Sequence, residues 1–203
     1  MRADIISYLE KEVLRRSESE MNKFGVGVYG HICLVVNNVA NMSDKYGANL
    51  EIVLISAWLH DIASITNYSL YNDHHIHSAR IADDILSGFN YDLDKIEKVK
   101  QCILHHRGSV LLEKASSEEQ CVADADAISH FDNIPSLLYL AYVTRKLDIE
   151  EGVKFVEDKL NRSWNKLSKK GKSLYQKKYD ETISVLTRHQ LVDMIHFNES
   201  TLP

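Results

Sequence analysis

Proline is almost missing from this chain. Only Pro135 and Pro203 occur in 203 residues, and glycine numbers eight. So few breakers, combined with long periodic segments, point to an all-α protein. Cysteine is scarce as well: Cys33, Cys102 and Cys121 lie far apart and form no C-x-x-C pair. That excludes a disulfide scaffold and fits a reducing compartment. No excess of positive charge is present. The net charge of -5 argues against a protein that grips a nucleic-acid backbone. No run approaches the roughly 18 apolar residues of a membrane span. Met1 to Glu10 already carries Asp4 and Glu10 and has no apolar stretch of the secretory kind. Neither a membrane nor a nucleic-acid partner is therefore expected, and the expected location is the cytoplasm. A homo-oligomer is left open.

What is present is ordinary soluble composition, 44% hydrophobic and 26% charged, at a length that fits one domain with a sizeable core. Ile5, Ile6, Leu9 and Val13 predict an amphipathic outer helix over residues 3 to about 20. Phe24 to Gly30 holds three glycines and reads as a turn. It lacks the preceding strand and the following Lys-Ser/Thr of a phosphate cradle. Further helices are predicted over about 29–46, ending at Gly47, and over about 50–62, capped near Asn49. Residues 63–73 read as a loop. The next helix covers about 74–87, capped by Asp73 and stopped by Gly88, and another runs from Asp92 to Arg107-Gly108. One more covers about 117–131, entered through overlapping capping boxes at Ser116 to Gln120, and Pro135 stands at a helix start. From about 148 to 196 a thin apolar pattern that includes Val156, Leu160, Trp164, Ile183, Leu186 and Ile195 predicts two or three helices packed outside the core. The basic cluster Lys166 to Lys178 reads as a solvated face.

Ala57-Trp58-Leu59-His60-Asp61 is the centre of the chain. The run Ile52 to Leu59 is uncharged and reads as a helix buried on most sides, with a histidine and an aspartate at its end. An ionised carboxylate beside an imidazole is costly to bury without a partner, and a metal cation satisfies both. The plain alternative is a helix end where both meet water. Seven of ten histidines fall between His31 and His106, spread over several predicted helices together with Asp61 and Asp126. Such a distribution suits a metal site inside a helical bundle. His106 continues the stripe Ile96, Val99 and Ile103 and faces inward, while His105 points about 100° away. Either His74 or His75 can reach inward. His77 reads as a surface residue, and His130, His189 and His196 as ordinary. On the helix over 117–131, Asp124 lies nearer the apolar face of Cys121, Ile128 and Phe131, with Asp126 about 200° further round.

The order His31, His60-Asp61, Asp126 resembles the H…HD…D signature of the HD phosphohydrolase superfamily. Tyr29-Gly30-His31, Ala57 to Ile62, Asp73 to Ala79, Ile103 to Arg107 and Val122 to Ala127 extend the likeness over roughly residues 27 to 135. The resemblance implies an HD-domain helical bundle with additional C-terminal helices. That makes residues 1–203 one domain, with a metal-binding core over about 27–135 and a helical extension over about 136–203. It also implies that His31, His60, Asp61 and Asp126 are metal ligands, with His60 and Asp61 catalytic. The family pattern favours Asp126 over Asp124, leaving Asp124 as a capping or supporting carboxylate. His74, His75, His106, Arg107 and Asp124 become candidates for a second metal or for the substrate phosphate.

Imidazole and carboxylate together suit Mn, Fe, Co, Ni or Zn better than Mg. One or two ions are implied, together with a phosphohydrolase of EC class 3.1 or 3.6. Its substrate is a small phosphorylated molecule, a nucleotide above all. Two alternatives remain: a metal-binding regulatory HD module with little turnover, and a di-metal HD-type oxygenase.

Overall fold

The computed structural model describes residues 1–25, 27–107 and 114–187, and no strand occurs among them. Gly108, His189, Ile195 and His196 lie outside the described residues. α1 (Ala3–Ser17) buries Ile5, Leu9 and Val13, as their spacing of four residues dictates. α2 (Gly27–Tyr46) begins inside the glycine-rich turn, so Gly27 and Gly30 are helical. It ends at Gly47, whose φ of +67° is the left-handed conformation that glycine adopts without strain. The Asn49 side chain accepts the Ile52 N–H at 3.2 Å and opens α3 (Leu50–Leu59). α3 buries Ile52, Val53, Ile55, Ala57, Trp58 and Leu59, and so is enclosed on nearly every side.

Two predicted boundaries shift here. The buried helix stops at Leu59 rather than running to about residue 62, because Asp61 leaves helical geometry at φ -111°, ψ 12°. The segment expected to be a loop forms α4 (Ile62–Thr66) and a 3-10 turn over Tyr68–Asp73. Ile62, Ala63 and Ile65 are buried, which draws a helical turn from a stretch too short to show a period. The chain thus bends at His60-Asp61, in the interior.

α5 (His74–Gly88) follows directly, and Asp73 makes no side-chain cap. α6 (Leu93–His105) is capped by Asp92, whose carboxylate accepts the Lys95 N–H at 3.0 Å. Ser116 caps α7 (Ser117–Asp132), accepting the Glu119 N–H at 3.2 Å. α8 (Ile134–Tyr139) carries Pro135 in its first turn and runs into a π-helical turn over Leu140–Thr144. α9 (Ile149–Lys166) opens on a capping box of Asp148 and Glu151, and α10 (Lys169–Thr187) closes the described chain.

α3 packs against α1, α2, α6 and α7, and the side chains between them form the main apolar core. A second cluster joins Phe131, Leu137, Ala141, Val156, Leu160 and Leu186, and Trp164 touches both. α9 is not merely an outer layer as predicted: it lies on α7 and forms one wall of a cleft. Lys166, read as solvated, keeps only 9% of its side chain exposed. The apolar stripe of α9 brings it inward. Among the described residues no helix is long and apolar enough to cross a membrane.

Candidate metal centre

Three histidines stand where a helical segment ends, and each does the same thing there. His60 follows α3, His106 follows α6, and His74 follows the 3-10 turn. Each turns Nδ1 to the backbone carbonyl three residues earlier: Ala57 at 2.7 Å, Ile103 at 2.6 Å and Tyr71 at 2.8 Å. Carbonyls of a last turn lack helical partners, so an Nδ1–H satisfies them. The bond assigns the proton to Nδ1 and leaves the Nε2 lone pair facing away from the helix. His31, at the start of the second turn of α2, reaches the same state by another route. Ser129 Oγ gives its own hydrogen to the Asp126 carbonyl at 2.6 Å and accepts from His31 Nδ1 at 2.9 Å.

These four lone pairs meet in two couples. His31 Nε2 lies 3.4 Å from His60 Nε2, and His74 Nε2 lies 3.3 Å from His106 Nε2. Two acceptors at such a distance repel unless a cation lies between them. Metal–imidazole bonds of about 2.0–2.1 Å place two ligands of one ion roughly 3.0–3.4 Å apart, which these couples match. Each couple has a carboxylate. Asp126 Oδ1 is 3.3 Å from His31 Nε2 and 4.0 Å from His60 Nε2. Asp61 serves both sides: Oδ2 is 3.5 Å from His60 Nε2 and 3.8 Å from His31 Nε2, while Oδ1 is 3.3 Å from His74 Nε2 and 3.7 Å from His106 Nε2. Two groups able to hold a metal result, His31 with His60 and Asp126, and Asp61 with His74 and His106.

Burial would raise the pKa of Asp61, but His60, His74 and His106 outweigh it and hold the carboxyl well below its ordinary range. For Asp126 burial is again outweighed, chiefly by the Lys166 ammonium that bonds Oδ2 and by His31. Both groups are therefore charged, as ligands must be.

The other predicted residues are distributed as follows. Arg107 lines the cleft and donates to the Asn72 carbonyl. Asp124 is fully buried and joins neither group. Its carboxylate accepts from Tyr46 Oη at 2.6 Å, Ser168 N at 2.9 Å and Gln120 Nε2 at 3.1 Å. His75 is buried with Nδ1 unpartnered and also stands apart from both groups. His105 pairs with Glu119, and His77 is half-buried. His130, read as ordinary, lines the cleft with its ring centre 4.9 Å from that of His31. Ser129, and Lys159, Arg162 and Lys166 of α9, also belong to the site, though no sequence motif marks them. The three α9 residues share a helical face at spacings of three and four, a signal lost among the many charges of that segment. The cleft measures about 730 Å³, and Phe24, Tyr71, Leu137 and Phe155 contribute apolar wall.

The imidazoles set a pH dependence. Burial pushes His60 down to about 4 and lowers His74, His75 and His130 below their usual range. Unfolded histidines take up protons near pH 6.5, and these folded ones do not. The stability held above that pH is therefore lost as the pH falls toward the folded values. Chelator-treated protein is expected to melt at progressively lower temperature from about pH 7 to pH 5, a window above the ordinary carboxylate pKa values. A melting temperature flat over that window contradicts this account.

Residues 28–130 match the family model described as HD domain. A curated relative from Clostridium beijerinckii, itself an uncharacterized protein, is 33% identical over 94 residues. The match covers 46% of this chain and 57% of that relative, so the chain spans little more than half of its length. A solved structure from Lactobacillus plantarum superposes with a TM-score of 0.69 at 16% identity, covering 96% of this chain and 99% of that one. Bacillus subtilis YpgQ in complex with ADP gives 0.63 at 16% identity, covering 96% and 97%. A predicted HD superfamily hydrolase from an uncultured Thermotogales bacterium gives 0.53 at 19% identity, covering 76% and 84%. At these identities the likeness is one of fold.

Proposed function

The chain belongs to the HD-domain family, and from that premise we propose that it is a metal-dependent phosphohydrolase acting on a small phosphorylated substrate, a nucleotide in the first instance. The observation that carries this reading is the pair of facing Nε2 couples with Asp61 between them. They supply neutral imidazoles and charged carboxylates for two divalent ions. His31, His60, Asp61 and Asp126 would hold one ion, and Asp61, His74 and His106 the other. Mn, Fe, Co, Ni or Zn suits these donors better than Mg. A bound divalent ion supplies an acidified water and neutralises charge on phosphoryl oxygens.

The protein's own residues do the rest. Asp61, shared by both groups, orients the attacking water. Arg107 and the cations of α9 face the substrate's negative charge. Lys166 fixes the Asp126 carboxylate through Oδ2, leaving Oδ1 toward His31. Enclosure by the apolar wall strengthens these interactions by excluding water. The nucleotide assignment leans on the ADP complex of a protein of the same fold, and on a cleft with both aromatic and cationic lining. One observation favours a second reading. The Asp61, His74, His106 group is also what a di-metal oxygenase of this fold requires, and oxygen consumption by the metal-loaded protein separates the two.

The direct test is a panel of phosphorylated compounds incubated with Mn²⁺-loaded protein. Release of phosphate or pyrophosphate is expected from at least one nucleotide. His60→Ala should lower the rate by about a hundredfold or more. Equal rates for wild type and variant across the panel reject the enzyme reading and leave a binding module.

A further inference from the structure

Two lysines on the outer faces of the last two helices pair with acidic neighbours one turn away, Lys154 with Asp158 and Lys177 with Glu181. The face of α9 that lines the cleft carries its own row of cations. Lys159, Arg162 and Lys166 follow one another at spacings of three and four residues and so share that face. Lys166 is accounted for by Asp126. Lys159 and Arg162 form no ion pair among the described residues; Lys159 is half-buried and Arg162 is exposed. Arg145, just after the π-helical turn, lines the same cleft, exposed, with its guanidinium 4.5 Å from the centre of the Phe155 ring, and among the described residues it too has no carboxylate partner.

A cation partly removed from water without a bonded counter-ion, as Lys159 is, is costly unless something else is gained. The imbalance is general here. Arg107, Arg145, Lys159, Arg162 and Lys166 line a cleft whose only carboxylates among the described residues are Asp61 and Asp126, in a chain of net charge -5. Divalent ions would make the cleft more positive still. A single phosphate held at Asp61 would leave the α9 wall and much of the 730 Å³ unused.

We propose that Lys159 and Arg162, with Arg145 beside them, form an anion subsite separate from the Asp61 centre, and that it takes a second phosphate. The ligand class is therefore a phosphoanhydride, a di- or triphosphate, rather than a phosphate monoester. This rests on the phosphohydrolase reading for the placement of the first phosphate. The subsite itself is a matter of binding and can be tested without turnover.

The test is calorimetry on the full chain, with Mn²⁺ in excess in both cell and syringe, titrating methylenediphosphonate and methylphosphonate. Wild type is expected to bind the diphosphonate about tenfold tighter or more, the scale of one added charge-assisted contact. The Lys159→Met, Arg162→Met double variant should lose that preference, and Lys159→Arg should keep it. The double variant is expected to melt no lower than wild type, since no ion pair is removed. If it does not fold, the wild-type preference still has to shrink between about 50 and 500 mM salt. A preference near one in wild type, one that survives the double substitution, or one indifferent to salt overturns the subsite. A preserved preference with no hydrolysis of any phosphorylated compound upholds the subsite and sinks the catalytic reading alone.

Discussion

Replacing Asp61 with alanine is expected to abolish turnover, lowering it by about a thousandfold or more, and to take both ions with it. The size follows from position. Removing one electrostatic stabiliser from an active site costs about a hundredfold to a thousandfold. Asp61 is the one side chain among the described residues whose two oxygens face different imidazole couples, Oδ2 toward His60 and Oδ1 toward His74. Its loss leaves two pairs of lone pairs with less charge to hold a cation against their mutual repulsion. His74→Ala should behave differently, since it touches one couple only. Metal per chain should fall toward one in His74→Ala and toward zero in Asp61→Ala. Elemental analysis after desalting, alongside rates on the responsive nucleotide, measures both. An Asp61→Ala protein that keeps two ions per chain contradicts the sharing of this carboxylate.

The sequence makes much of this arrangement legible because it rests on local chemistry. Asn49, Asp92 and Ser116 cap helices as their side chains suggest, and Gly47 ends one. The uncharged run Ile52 to Leu59 is buried because no face of it favours water. What the sequence hides is how the buried segment ends. Nothing in Leu59-His60-Asp61-Ile62 is a recognised breaker. The bend comes from a side chain bonding a carbonyl of the last turn, which is visible only once the helix exists. The choice between His74 and His75 is hidden for the same reason. The carbonyl of Tyr71 selects His74, and it is available only because the preceding segment winds into a 3-10 turn.

The H…HD…D order named four residues, and the fold brings His31, His60, Asp61 and Asp126 to one place from α2, the end of α3 and α7. The α9 wall was invisible for an opposite reason. Lys159, Arg162 and Lys166 are indistinguishable by composition from the charges that pair on the outer surface. A spacing of three and four residues becomes informative only when the helix is seen against α7. Helical phase was instructive at Asp124. Periodicity pointed it inward, and inward it goes, with no exposed surface. The interior it enters is the seam with α2 and α10, not the cleft.

That placement gives the largest expected effect on stability. Asp124→Ala deprives Tyr46 Oη, Gln120 Nε2, Ser168 N and Ser168 Oγ of their shared acceptor. A buried donor left unpaired costs about 1–3 kcal/mol; these four are partly buried and relaxation spares some of the cost, so a loss of about 3–5 kcal/mol is expected. For a chain of this size each kcal/mol moves the melting temperature by about 2–4 °C, which predicts a fall of roughly 6–20 °C. A Cβ at Gly171 would stand 2.7 Å from Asp124 Oδ2, so Gly171→Ala should destabilise as well. The pairing also explains why burial and the Asp124 carboxylate together raise the Tyr46 phenol above its ordinary pKa. Asp124→Asn keeps the shape and two acceptor lone pairs, and should fall between wild type and alanine. Metal content separates a tether from a ligand. Asp124→Ala should keep its ions at a temperature where it remains folded, whereas Asp126→Ala should lose one; it too should melt below wild type, because the nearly buried Lys166 loses its partner. A stable Asp124→Ala protein stripped of metal reverses the assignment of the two aspartates.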